Sequence, residues 1–179
     1  MAEFDLTDAL SPDYLVGLER LSLSGLRAKR DACAELETEL SYLRRLAQAR
    51  IDLILAESER RHLGLADPSP EDLVELLPQI LSEHSRGAGA GRLPTFFAPA
   101  QGMQQQLAAR VEQLLPSDQL GSLPALSTTE LGERLEALSN LERDVSADRR
   151  ALHDIQDRLQ EELVRRYRTG EANVDALLR

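Results

Sequence analysis

The chain has no tryptophan, and aromatic residues make up only 3% of its 179 positions. A compact globular core normally draws on more aromatic volume than that. A single cysteine, Cys33, excludes a disulfide framework or a cysteine-based metal site within one chain, and it reads as a small apolar filler in a helix. No run of about 18 apolar residues occurs, which excludes a membrane-spanning helix. The opening MAEFDLTDALSPDY is acidic and lacks the apolar core of a signal peptide, so the expected location is the cytoplasm. Lysine is nearly missing, since only Lys29 among the 21 basic residues is not arginine. The net charge of −10 argues against direct DNA binding and against an anionic membrane surface. It suits a basic protein partner instead.

What remains is the composition of long helices: leucine, alanine, glutamate and arginine. No stretch alternates with period two, so no sheet is expected. Residues 1–20 read as a flexible arm, with Ser11-Pro12 as a turn or helix start. Ser22 or Ser24 caps a long helix over about 22–62, and Gly64 follows it. A shorter helix over about 70–84 begins with Pro70 in its first turn. The Gly/Ala/Pro-rich stretch around 85–101 reads as a linker; its Phe96 and Phe97 pack against the helices in preference to docking elsewhere. Another helix at about 102–115 ends before Pro116, and PSDQLGSLPALS reads as loop. Ser127 or Thr128 caps the last long helix, about 129–168, stopped by Gly170 before a tail at 169–179. The fold class is therefore all-α: one helical domain over 22–168, built on an antiparallel coiled coil of two long helices. At 1.5 Å per residue each is about 60 Å long.

The chemistry lies in a polar repeat. Shifted by 105 residues, Leu36, Glu37, Ser41, Arg44, Arg45, Asp52, Glu57, Arg60 and Arg61 fall on Leu141, Glu142, Ser146, Arg149, Arg150, Asp157, Glu162, Arg165 and Arg166. The shared frame is E-x3-S-x2-R-x3-(Q/H)-x3-D, with Gln48 in the first copy and His153 in the second. Its five positions span roughly 80° of a helix surface. The apolar stripe lies beside it: Leu36, Leu40, Leu43, Ala47, Ile51 and Ile54 in one helix, Leu138, Leu141, Val145, Leu152, Ile155, Leu159 and Leu163 in the other. The phase between the stripes is the same in both copies, so each polar row borders the seam and the two can face one groove. Solvated intrahelical ion pairs are the plain alternative for a single copy. Such a face has no need to keep a serine, a mediocre helix former, at the same place twice.

An arginine fork matches the O6/N7 edge of guanine or a phosphate, and an aspartate accepts from guanine N1–H and N2–H. Serine, glutamine and histidine suit phosphate or ribose oxygens. Two equivalent rows suit a ligand with two equivalent halves, and a guanine dinucleotide with two-fold character meets all of these demands. Catalysis is not expected, because His62, His84 and His153 lie far apart in sequence. The pair His153 and Asp157, one turn apart, is more often structural than a metal site.

At these residues the sequence resembles the RsiG family of cyclic-di-GMP-dependent anti-sigma factors. Glu37, Ser41, Arg44, Gln48 and Asp52 match the family signature at every place; the second copy matches at Glu142, Ser146, Arg149 and Asp157 and departs at His153. The resemblance implies that these ten residues bind a dimer of cyclic-di-GMP as a regulatory ligand, with no further cofactor. It also implies that the loaded protein sequesters a WhiG-type sporulation sigma factor. The segment 70–84 and the RLPTFFAP stretch are candidates for the partner contact. A structural or adaptor coiled coil without ligand is the alternative.

Overall fold

The computed structural model describes residues 6–66 and 103–170. The expected helix at 70–84, the linker at 85–101 with Phe96 and Phe97, and most of the tail lie outside the described residues. Among the described residues there are four α-helices: α1 (Leu6–Ala9), α2 (Leu23–His62), α3 (Met103–Leu114) and α4 (Thr128–Arg168). The described residues also form 3-10 helices at Pro12–Leu15 and Leu18–Arg20, between α1 and α2, and at Ser117–Ala125, between α3 and α4, and they contain no strand.

The two long helices have 40 and 41 residues, and their ends are built by local chemistry. Ser22 Oγ accepts the Gly25 N–H at 3.1 Å. At the start of α4, Ser127 Oγ accepts the Glu130 N–H at 3.2 Å while the Glu130 carboxylate accepts the Ser127 N–H at 2.7 Å, a reciprocal capping box. After α2, Gly64 adopts φ 65, its N–H donates to the Arg61 carbonyl and the Leu65 N–H donates to the Arg60 carbonyl. These two bonds satisfy carbonyls that the helix itself leaves open. Gly170 likewise turns left-handed, at φ 74, just after α4.

The described residues form two compact units. One holds the chain up to Ser41 and from Ser146 onward; the other holds Tyr42–Val145. Each unit takes the N-terminal part of one long helix and the C-terminal part of the other.

In the first unit Arg27 meets Tyr167, Arg30 meets Gln160 and Glu37 meets Arg149, so the segments run antiparallel. Leu36, Leu40, Leu152, Leu159 and Leu163 of its apolar stripe are buried. In the second unit Gln48 meets Glu142 and Arg61 meets Leu123, again antiparallel, over buried Leu43, Ala47, Ile54, Leu138, Leu141 and Val145. Ile51 and Ile155, placed in the same stripes by spacing, are half-buried at its margin.

The N-terminal segment departs from the expected flexible arm. From Leu6 it forms short helical turns, and Ala9 and Tyr14 are buried. Tyr14 is the reason. Its hydroxyl donates to the Lys29 carbonyl at 3.1 Å, the Lys29 ammonium donates to the Tyr14 carbonyl, and that ammonium lies 4.0 Å from the ring centroid. The Cys33 thiol, fully buried and 3.6 Å from the Tyr14 hydroxyl, fills the space below. Burial pushes that thiol's pKa up, which keeps it inert at neutral pH.

The stretch read as loop after Pro116 is a 3-10 helix, Ser117–Ala125. Two arginines of α2 hold it. Arg50 donates from Nε to the Leu115 carbonyl at 2.8 Å and from Nη2 to Ser117 Oγ and the Glu112 carboxylate. Arg61 donates to the carbonyls of Leu123 and Pro124 at 3.0 and 3.2 Å.

In the first unit, Arg166 does the equivalent work, donating to the carbonyls of Leu18 and Leu21. Arg61 and Arg166 are oriented alike, because Glu57 is clasped by Arg60 and Arg61, and Glu162 by Arg165 and Arg166. The 105-residue repeat thus runs past the polar frame: Leu18, Ser22 and Leu26 correspond to Leu123, Ser127 and Leu131 in sequence and in role.

Two stability measurements follow. Leu152→Ala, at a fully buried position of the seam, is expected to lower unfolding free energy in urea by about 2–5 kcal/mol. The hydrogen bonds from Arg165 and then Arg166 hold the Glu162 carboxyl down to about 2, from an ordinary 4.5. A carboxylate depressed by folding stabilises above its ordinary range and loses that contribution as pH falls toward the folded value. Thermal melts from pH about 5 down to about 2 should therefore decline less steeply for Glu162→Gln than for the parent chain.

Candidate functional site

The ten motif positions divide between the two units. Glu37, Ser41, Ser146, Arg149, His153 and Asp157 belong to the first; Arg44, Gln48, Asp52 and Glu142 belong to the second. In each, the motif glutamate of one long helix reaches across the seam to the motif arginine of the other.

In the first half-site, Arg149 donates from both Nε and Nη2 to Glu37 Oε1, at 3.0 and 2.7 Å. Ser41 Oγ, one turn along from Glu37, donates to the same oxygen at 2.7 Å. His153 Nε2 lies 3.6 Å from it. Both members of the Glu37–Arg149 pair are only 21% exposed. Burial pushes the Glu37 carboxyl up, but hydrogen bonds from Ser41 and Arg149 and the positive charge of Arg149 outweigh it, leaving the pKa lowered. The carboxylate is thus ionised at neutral pH, as the arginine beside it requires. Ser146 is half-buried, whereas Asp157 lies exposed one turn beyond His153.

The second half-site repeats the plan with a looser grip. Gln48 Nε2 donates to Glu142 Oε1 at 3.3 Å. Arg44 Nη1 is 3.9 Å from the same oxygen, an ion pair beyond hydrogen-bond length. The Arg44 Nε is buried and has no hydrogen-bond partner. Asp52 is buried, at 8% exposure, in contrast to its exposed counterpart Asp157.

Glu37, Arg44, Gln48, Glu142 and Arg149 therefore border the seam and meet across it, while His153 and Asp157 are exposed. Spacing singles out these ten positions. It did not reveal that each glutamate serves the opposite helix, nor that the downstream Glu57 and Glu162 clusters anchor the 3-10 segments. The signal for the latter was present, because the same shift superimposes Leu18 on Leu123 and Ser22 on Ser127.

Chemically, each half-site offers a planar cation, a neutral or titratable donor and two carboxylates, and the first also holds the hydroxyls of Ser41 and Ser146. No group of three or more His, Cys, Asp or Glu side chains suited to a metal ion occurs among the described residues. No described helix is long and apolar enough to cross a membrane.

A family model described as RsiG-like matches residues 12–81, a span that takes in the whole first copy of the motif. That match makes the N-terminal part of the chain, residues 12–81, similar to the RsiG-like family. Among curated proteins, none matches the chain.

The Glu37–Arg149 pair is testable in isolation. A double-mutant cycle with Glu37→Gln and Arg149→Gln, read by urea unfolding at neutral pH, is expected to give a coupling of about 1 kcal/mol, the upper end for partly exposed pairs. Because folding lowers the Glu37 pKa, the coupling should fade as pH drops below the ordinary glutamate range.

Proposed function

We propose that the protein is a ligand-gated anti-sigma factor whose two half-sites bind cyclic-di-GMP, and that the loaded form sequesters a sigma factor of the WhiG type. The observation that carries this reading is the doubled cross-seam arrangement, in which Glu37 meets Arg149 and Glu142 meets Arg44 within a repeated frame. Two half-sites that each pair a motif arginine with a motif glutamate and hold a motif aspartate suit a ligand taken up as two equivalent copies. Arg44 and Arg149 supply forks for guanine O6 and N7, Asp52 and Asp157 accept from guanine N1–H and N2–H, and Ser41, Ser146, Gln48 and His153 contact phosphate or ribose oxygens.

The similarity of residues 12–81 to the RsiG-like family supports the anti-sigma role, and the nucleotide and the sigma factor are the finer part of the proposal. The net charge of −10 complements the basic, DNA-facing surfaces that sigma factors carry. Ligand that binds the complex more tightly than the separate partners strengthens the complex by the same factor. A fall in nucleotide level then releases the sigma factor.

Isothermal calorimetry with cyclic-di-GMP tests the ligand assignment. Arg44→Ala and Asp52→Ala are each expected to abolish binding, with the helical circular dichroism preserved. Parent-like affinity in both variants would reject the assignment. Absence of any thermal shift of the parent chain with cyclic-di-GMP would favour a plain adaptor coiled coil. Pull-down of a WhiG-type sigma factor with and without added dinucleotide tests the partner, and equal recovery in both arms would rule out ligand gating.

A further inference from the structure

Of the two motif arginines, Arg149 already has its fork engaged and Arg44 does not. We infer that Glu37 and Glu142 are internal counter-ions that an incoming nucleotide displaces from Arg149 and Arg44, and that the Arg44 half-site loads first. This rests on the nucleotide-binding reading above and specifies how that site is regulated.

Three observations carry it. First, the fork edge of Arg149 is occupied: both Nε and Nη2 donate to a single oxygen, Glu37 Oε1. That is the kind of contact a guanine edge or a phosphate oxygen would make with the same guanidinium. A ligand using this edge exchanges one charge-assisted bond for another, so its net gain is small while Glu37 stays in place.

Second, the glutamate is firmly held. Ser41 Oγ donates to the same oxygen at 2.7 Å and His153 Nε2 stands 3.6 Å away, so leaving Arg149 also disturbs the carboxylate's other partners.

Third, the other half-site is not closed in this way. Arg44 is 3.9 Å from Glu142, its Nε is buried without a hydrogen-bond partner, and Gln48 reaches Glu142 at 3.3 Å. A buried guanidinium N–H without a partner has an unmet hydrogen bond that a ligand acceptor supplies. Arg44 therefore gains on binding what Arg149 merely exchanges.

Glu37 and Glu142 thus act as gates of unequal strength rather than as groups that add contacts to the ligand. Replacing Glu37 by Gln keeps the size and the hydrogen-bonding reach of the side chain but removes the charge that competes for Arg149.

Stepwise calorimetry of cyclic-di-GMP on the full chain, with the parent, Glu37→Gln and Glu142→Gln compared, reads this directly. Circular dichroism confirms that each variant is folded. The parent should show a tighter and a weaker step. Glu37→Gln should tighten the weaker step by about fivefold, the range of a partly exposed ion pair. Glu142→Gln should change the tighter step by less. If the parent binds and Glu37→Gln binds equally or more weakly at both steps, Glu37 is a ligand contact or a scaffold group, and the gating inference falls while the ligand assignment stands. If the parent does not bind at all, both fall together.

Discussion

A helix of 40 residues with a leucine stripe along one side is not stable alone in water, and everything else in this protein depends on how that stripe is covered. Here each long helix covers the other in antiparallel register, with Leu36, Leu40, Leu152 and Leu159 buried in one unit and Leu43, Ile54, Leu138 and Leu141 in the other. The seam does more than stabilise. Because the polar row sits at a constant angle to the apolar one, closing the seam brings Glu37 to Arg149 and Glu142 to Arg44 with no further instruction. The chemistry of the site is a by-product of helical periodicity applied twice.

That dependence explains why so much was legible beforehand. The helix limits were marked by local signals: Ser22 and Ser127 as caps, Gly64 and Gly170 as stops. Both are short-range effects that a sequence displays directly. The parts that went unread rest on single long-range contacts with no periodicity behind them. Nothing near Pro12 announces that Tyr14 will find Lys29 and Cys33 some fifteen to nineteen residues away. Likewise Ser117–Ala125 looks like loop because Gly121 and Pro124 are poor helix formers; its 3-10 turns are held by Arg50 and Arg61 from a distant helix. Local propensity described those segments correctly as weak, and a tertiary guanidinium overrode it.

The repeat is also a way to see what is structural and what is chemical. Glu57, Arg60 and Arg61 recur as Glu162, Arg165 and Arg166 with nearly the same geometry, and in both copies the second arginine donates to carbonyls of the 3-10 segment leading into the other long helix. Equivalence here is what a scaffold requires, since each 3-10 segment faces the same mechanical task. Within the motif the copies diverge. Gln48 becomes His153, Asp52 is buried where Asp157 is exposed, and Arg149 is firmly clasped where Arg44 is not. Scaffold positions kept their symmetry while motif positions did not.

The choice of arginine ties these levels together. A lysine at position 149 would place one compact charge near Glu37, strongly hydrated and without directional preference. The guanidinium instead sets two N–H groups on one carboxylate oxygen, and the plane of the fork is fixed by that contact. At Arg166 the same geometry lets one side chain hold Glu162 with Nε while its Nη atoms reach two backbone carbonyls. A cation that satisfies several acceptors in a plane holds a segment in one orientation at Arg166. At Arg149 it presents a defined edge that an acidic neighbour occupies. Near-total replacement of lysine by arginine in a chain of net charge −10 is thus consistent with cations used for their shape as much as for their charge.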